Sequence, residues 1–175
     1  MARFNKTAHL RQNIDAIKVA FTLDRENRIA TPEEKQILQA YSGFGAIKEV
    51  IDPLPASDNK VKETPLTPLI RELHTVLKEN TPNEREYKRY FGGIKDSILS
   101  AFYTPPVIVD ALVSSLQQSG ITPFRVIDPS AGAGAFADSL KKSAPDAEIT
   151  CFEKDPMTGM ILKHLRPEDN VRVQG

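Results

Sequence analysis

The chain has 175 residues, enough for one ordinary domain or for a small helical domain joined to part of another. Lys plus Arg and Asp plus Glu both total 23, so the formal net charge is zero, and any affinity for nucleic acid has to come from a local patch. The single cysteine, Cys151, excludes an internal disulfide and a multi-cysteine zinc site, and it fits a reducing compartment. The start, Met1-Ala2-Arg3-Phe4-Asn5-Lys6, lacks the apolar run of a signal peptide, and no stretch is long and apolar enough to span a bilayer. The sequence reads as that of a soluble cytoplasmic protein without a membrane partner.

From about Thr7 to Leu23 the apolar residues Leu10, Ile14, Ile17, Ala20 and Phe21 recur at helical steps and define a packing face. Thr31-Pro32-Glu33-Glu34 predicts a capped helix start, with Thr31 as cap, Pro32 at the first position and Glu34 closing a capping box. That second helix is expected to reach about Tyr41 and to end in the turn Tyr41-Ser42-Gly43-Phe44-Gly45. Residues 51–68 hold Pro53, Pro55, Pro65 and Pro68 among polar residues and read as a linker or surface loop. Leu69, Ile70, Leu73, Val76 and Leu77 predict a third helix. Tyr87, Tyr90, Phe91, Ile94 and Ile98 give one face of a fourth, running from Asn83 to Leu99. The domain expectation is a helical region over 1–96 and a second region over 97–175.

After Phe102 a helix from Pro106 to Gln118 leads into short apolar runs alternating with helices. Strands are predicted at Arg125–Asp128, Glu148–Phe152 and Val171–Val173, and helices at Ala135–Lys142 and Met157–Leu165. This is a βαβαβ unit, so the fold class is α/β.

Val126-Ile127-Asp128-Pro129-Ser130-Ala131-Gly132-Ala133-Gly134-Ala135-Phe136 carries the chemistry. A strand ending in a carboxylate runs into a small-residue loop that opens a helix, where a ligand can approach bare backbone. Glu153, at the end of the next strand, stands where an acidic residue grips ribose hydroxyls in nucleotide-binding folds. Gly132-x-Gly134-x-x-Ala137 also satisfies a loose dinucleotide fingerprint, but a pyrophosphate tolerates Asp128 poorly as a neighbour. A P-loop fails because no Gly-Lys-Ser/Thr follows the glycines. S-adenosylmethionine, which carries an ammonium and a sulfonium and no phosphate, suits the carboxylate. A ligand-free glycine turn is the remaining alternative.

Asp128-Pro129-Ser130-Ala131-Gly132-Ala133-Gly134-Ala135-Phe136 resembles the first motif of the adenine-N6 class of DNA methyltransferases. Phe152-Glu153-Lys154-Asp155-Pro156 resembles that family's acidic motif, and Ala101-Phe102-Tyr103-Thr104-Pro105 the motif that precedes the glycine loop in circularly arranged members. The three together cover about Ser97 to Gly175. The resemblance implies a partial Rossmann-like, S-adenosylmethionine-dependent methyltransferase fold preceded by a helical region, with DNA as partner. It places Asp128 near the methionine amino group, lets the cofactor pass Gly132 and Gly134, and puts Glu153 on the ribose. Phe102, Tyr103 and Thr104 line the methionine pocket, and Pro129, Ser130, Phe136 and Lys154 complete the cofactor-binding set.

The family's catalytic tetrapeptide, Asn or Asp followed by two prolines and an aromatic, holds the adenine amino group and stacks on a flipped base. No such run occurs here. Tyr103-Thr104-Pro105-Pro106 has only the prolines, and Asp52-Pro53-Leu54 also fails. The chain therefore reads as a fragment, inactive alone, with no catalytic residue of its own. In a sheet that winds outward from its middle, the first strand then has an open edge, which predicts self-association or a cover by the N-terminal helices.

Tyr41-Ser42-Gly43-Phe44-Gly45 and Lys88-Arg89-Tyr90-Phe91-Gly92-Gly93 resemble the leader of large methylase and helicase-like proteins of mobile bacterial elements. A packed aromatic face with basic residues in water is the plainer reading of the second stretch. His9, His74 and His164 lack ligand spacing, and Cys151 reads as a core thiol. Two other readings stand beside the DNA enzyme: a non-catalytic scaffold with a methyltransferase-like half, and a methyltransferase acting on RNA or protein.

Overall fold

The computed structural model describes residues 5–52, 63–100 and 103–174. The chain divides into two compact units, Met1–Ala101 and Phe102–Gly175.

The first unit is helical: α1 (Lys6–Glu26), α2 (Pro32–Gln39), a short 3-10 turn (Lys48–Ile51), α3 (Thr67–Asn80) and α4 (Glu84–Ser100). Asn5 caps α1 by accepting the Ala8 N–H, and Asn27 ends it in the left-handed region at φ 48°. Leu10, Ile14, Ile17, Ala20 and Phe21 are buried as their spacing predicts. Buried Asn13 shares that face. Its amide donates to the Gly43 carbonyl at 2.6 Å and accepts from the Ser42 N–H at 3.0 Å, which fixes the aromatic turn to the helix. Tyr41 and Phe44 are buried in that turn with their rings edge to face, centroids 6.3 Å apart.

The capping box of Thr31 and Glu34 forms, but α2 stops at Gln39, short of Tyr41. Tyr41 is buried with Phe44 in the turn. Of the proline-rich stretch, 53–62 lies outside the described residues, while Thr67 and Pro68 already belong to α3. Thr67 Oγ1 accepts the Thr64 N–H at 3.0 Å, and this side-chain bond organises the start of the helix. On α4, Ile94 and Ile98 are buried, Tyr90 stands edge-on to Phe21, and Tyr87 and Phe91 pack against His74. Lys88 and Arg89 lie outside that face, exposed and near Glu84 and Glu86. The aromatic and basic stretch is thus a packing face with solvated cations.

The second unit runs α5 (Pro106–Gln118), β1 (Arg125–Asp128), α6 (Ala135–Ser143), β2 (Glu148–Glu153), α7 (Pro156–Leu165), β3 (Asn170–Val173). The strands form a parallel sheet in the order β1-β2-β3, with Asp128 beside Cys151 and Glu153 beside Val173. Ile149 and Cys151 alternate inward from β2 and meet Val113 of α5, Ala137 and Leu140 of α6 and Leu162 of α7 in one core. Arg166, after α7, is buried. Its guanidinium reaches Asp138 on α6 at 2.8 Å and Asp169 before β3 at 2.8 Å, which ties the two crossover helices to the third strand.

β1 is hydrogen-bonded to β2 alone among the described residues, so it forms the edge that the sequence anticipates. Ile127 on that strand is 70 % exposed and Phe124 just before it 65 %. On α5, Val109 and Val113 are buried, whereas Ile108, Leu112 and Leu116, four residues apart, make an exposed apolar stripe.

Candidate cofactor site

The carboxyl ends of β1 and β2 and the loop between β1 and α6 form the candidate site. Asp128 closes β1, and one of its oxygens, Oδ1, accepts the Ser130 N–H at 3.1 Å. The loop then folds over the end of β2. Ala131 donates its N–H to the Phe152 carbonyl at 2.9 Å, and Gly132 donates to Glu153 Oε2 at 2.9 Å. The other oxygen of Glu153 accepts the Asp155 N–H at 2.7 Å, so a single carboxylate joins the glycine loop to the start of α7.

Gly132 and Gly134 sit at φ 55° and 94°, in the left-handed region that side chains avoid. A Cβ on Gly134 would lie 2.9 Å from Leu162 Cδ1, so this glycine lets the loop and α6 close on α7. A Cβ on Gly132 would instead lie 3.2 Å from Cε1 of Tyr103, whose ring runs beside the loop. The Tyr103 hydroxyl hydrogen-bonds the Thr158 side chain in the first turn of α7. Its loss of water pushes the phenol up to about 12, with Asp155 and Glu153 close by adding to the effect.

Glu153 is half-buried. Desolvation raises its carboxyl above the usual glutamate range, opposed by the N–H groups of Asp155 and Gly132. Asp128 Oδ2 is buried and has no hydrogen-bond partner among the described residues. A buried carboxylate oxygen without a donor is costly, and a ligand cation or N–H relieves it. Thr104, Pro129, Ser130 and Lys154 are exposed around the site, and Phe136 is half-buried on the first turn of α6. Phe102 lies outside the described residues. Cys151 is buried beneath the loop, and its thiol is pushed up to about 11 by burial and then by Asp128.

The polar groups of the loop bear on the ligands that the sequence leaves open. A pyrophosphate binds to free backbone N–H groups at a helix start. Here the N–H groups of Ser130, Ala131, Gly132 and Gly134, in the loop before the helix, are already used by Asp128, Phe152, Glu153 and Ala131, while α6 itself starts at Ala135 without a side-chain cap. The loop instead offers an orphaned anionic oxygen. That suits a nucleoside with an ammonium group and no phosphate, and S-adenosylmethionine fits this donor set.

Sequence reading overlooked Thr158 and Arg166. Helix α7 starts at Pro156, one residue before the expected Met157, because Asp155 caps it, with Asp155 Oδ1 accepting the Thr158 N–H at 2.6 Å. Pairing of Thr158 with Tyr103, far upstream, leaves no local signal. Among the described residues no cluster of His, Cys, Asp and Glu could hold a metal ion, and no helix is long and apolar enough to cross a membrane.

Fold and loop together define an α/β protein with a small parallel sheet and a glycine loop at its carboxyl edge. The chain is 31 % identical over 117 residues to the type II methyltransferase M.XamI of Xanthomonas campestris pv. amaranthicola, an alignment covering 64 % of this chain and 22 % of that protein. This similarity supports a methyltransferase relationship. The chain spans about a fifth of the length of that relative. No family model matches the chain, and no solved structure matches it.

Proposed function

We propose that the second unit binds S-adenosylmethionine and that the chain is the cofactor-binding, N-terminal portion of a DNA adenine-N6 methyltransferase. The observation that carries the cofactor reading is the buried carboxylate oxygen Asp128 Oδ2, which has no hydrogen-bond partner among the described residues and lies at the end of β1 beside the glycine loop. In this reading Asp128 takes the methionine ammonium, and Glu153 accepts the ribose hydroxyls with lone pairs left over from its two backbone bonds. Gly132 keeps the loop free of a side chain, and the motif resemblance gives Tyr103 and Thr104 the methionine end, although the Tyr103 ring stands beside Gly132 and Glu153. When bound, the cofactor supplies an electrophilic methyl group on a sulfonium. The residues here hold it, and the chain contributes no Asn/Asp-Pro-Pro-aromatic tetrapeptide to hold a target amine, so it is inactive alone. Motif resemblance supports DNA adenine as substrate, and the relative is a type II methyltransferase.

Calorimetric titration tests the cofactor. S-adenosylmethionine or its demethylated product is expected to give saturable heat, NAD none, and Asp128→Ala to remove the signal. Equal heats with NAD, or an unaffected Asp128→Ala, would sink the reading.

We also propose that the open edge of β1, with Ile127 and Phe124 exposed beside it, pairs with a second copy of the chain in solution. Light scattering reports this directly, and a monomer at high concentration overturns it.

A further inference from the structure

Resting on the cofactor reading, we propose that Tyr103 is a displaceable cover over the crevice, latched by Thr158, which a bound nucleoside must push aside. The ring lies between the glycine loop and the start of α7, close to Glu153 at the end of β2. One edge lies at 3.2 Å from the position a Gly132 Cβ would take, and the hydroxyl is bonded to Thr158 on α7. Glu153, the acceptor proposed for the ribose, belongs to the same cluster, with its two oxygens on Gly132 and Asp155. The cover therefore lies along the path between loop and acid that the ligand needs.

Two features make the ring a cover and not a fixed wall. It is 40 % exposed, so part of the ring already stands in water. Its polar tie is a neutral hydroxyl pair, whereas the loop beneath is held by backbone and carboxylate bonds. The phenol hydroxyl also sits beside Glu153 and Asp155, where ribose hydroxyls would replace one polar group by others of the same kind. Cofactor affinity then carries the cost of unlatching, because the competent state is only a fraction of the population.

The test uses the full chain, S-adenosylhomocysteine as probe, and two variants that release the latch but keep the bulk: Thr158→Val and Tyr103→Phe. Each is first checked for a native circular dichroism spectrum and cooperative melting. Loss of one neutral hydrogen bond predicts a dissociation constant about 3- to 10-fold lower than wild type in both. Binding by the variants where wild type shows none supports the latch equally. Unchanged or weaker binding in both folded variants, with wild type binding, overturns the latch and leaves the cofactor reading standing. No binding by any of the three overturns both. A ligand-free measurement separates the geometry from the affinity: the Gly132 α-proton resonances carry a ring-current shift that Tyr103→Leu removes. If they do not move, the ring does not cover the loop and the proposal falls whatever the affinities.

Discussion

The carboxylate of Glu153 accepts the N–H of Gly132 at 2.9 Å and that of Asp155 at 2.7 Å, so the acid expected to meet a ligand is also the brace of the loop that would hold it. Glu153→Ala leaves two N–H groups without their acceptor. It is expected to cost the second unit about 2 kcal/mol as well as its cofactor affinity, measured by chemical denaturation and calorimetry. The pH dependence has a definite sign. Burial raises the folded-state value, so this group's stabilising contribution is present below the ordinary glutamate range and is lost as pH rises through the raised value. Cofactor affinity runs the other way, since the ionised form is the better acceptor, and it is expected to fall on acidification earlier than an ordinary glutamate would titrate. A flat affinity profile through the acidic range counts against the ribose role.

Gly134 is under two constraints at once. Its φ of 94° disfavours any side chain, and a Cβ would come within 2.9 Å of Leu162 Cδ1. Gly134→Ala is expected to destabilise the chain by about 2–3 kcal/mol, visible as a lower melting temperature. A change under about 0.5 kcal/mol would show that the loop shifts freely over α7.

Glu72 on α3 titrates with the opposite sign to Glu153. Arg11, donating to both of its oxygens at 2.7 Å, and Lys18 at 2.6 Å hold its carboxyl down at about 2. A depressed folded value stabilises above the ordinary value and is lost as pH falls toward about 2. With 28 % of the side chain exposed, solvent screening limits the contribution to about 1 kcal/mol. Glu72→Gln is expected to lower stability by that amount at neutral pH and by much less at pH 2, in parallel urea melts. Equal losses at both values would point to packing in place of charge.

Ile127 tests the open edge with little risk to the fold. It is 70 % exposed, so Ile127→Lys should change stability by less than about 0.5 kcal/mol. An edge lysine opposes strand addition. The variant is expected to scatter as a monomer under conditions where the wild type associates. Identical association of both proteins places the contact elsewhere.

Amino-acid order alone determined which segments become helix and strand, because that information is local. The apolar steps of α1 and α3, the capping box at Thr31–Glu34 and the small-residue run after Asp128 each act within a few residues. The motif after β1, the acid that ends β2 and the family resemblance also marked Asp128, Gly132 and Glu153 as candidate site residues. What the loop N–H groups do was beyond reach of the sequence, since it depends on the loop folding back onto Phe152 and Glu153 after the strands pair. Tertiary packing likewise decided that Gly134 serves the approach to Leu162, that Arg166 ties α6 to β3, and that Tyr103 reaches Thr158. Each joins residues distant along the chain, and side-chain spacing carries no record of such partners until the sheet brings them within bonding distance.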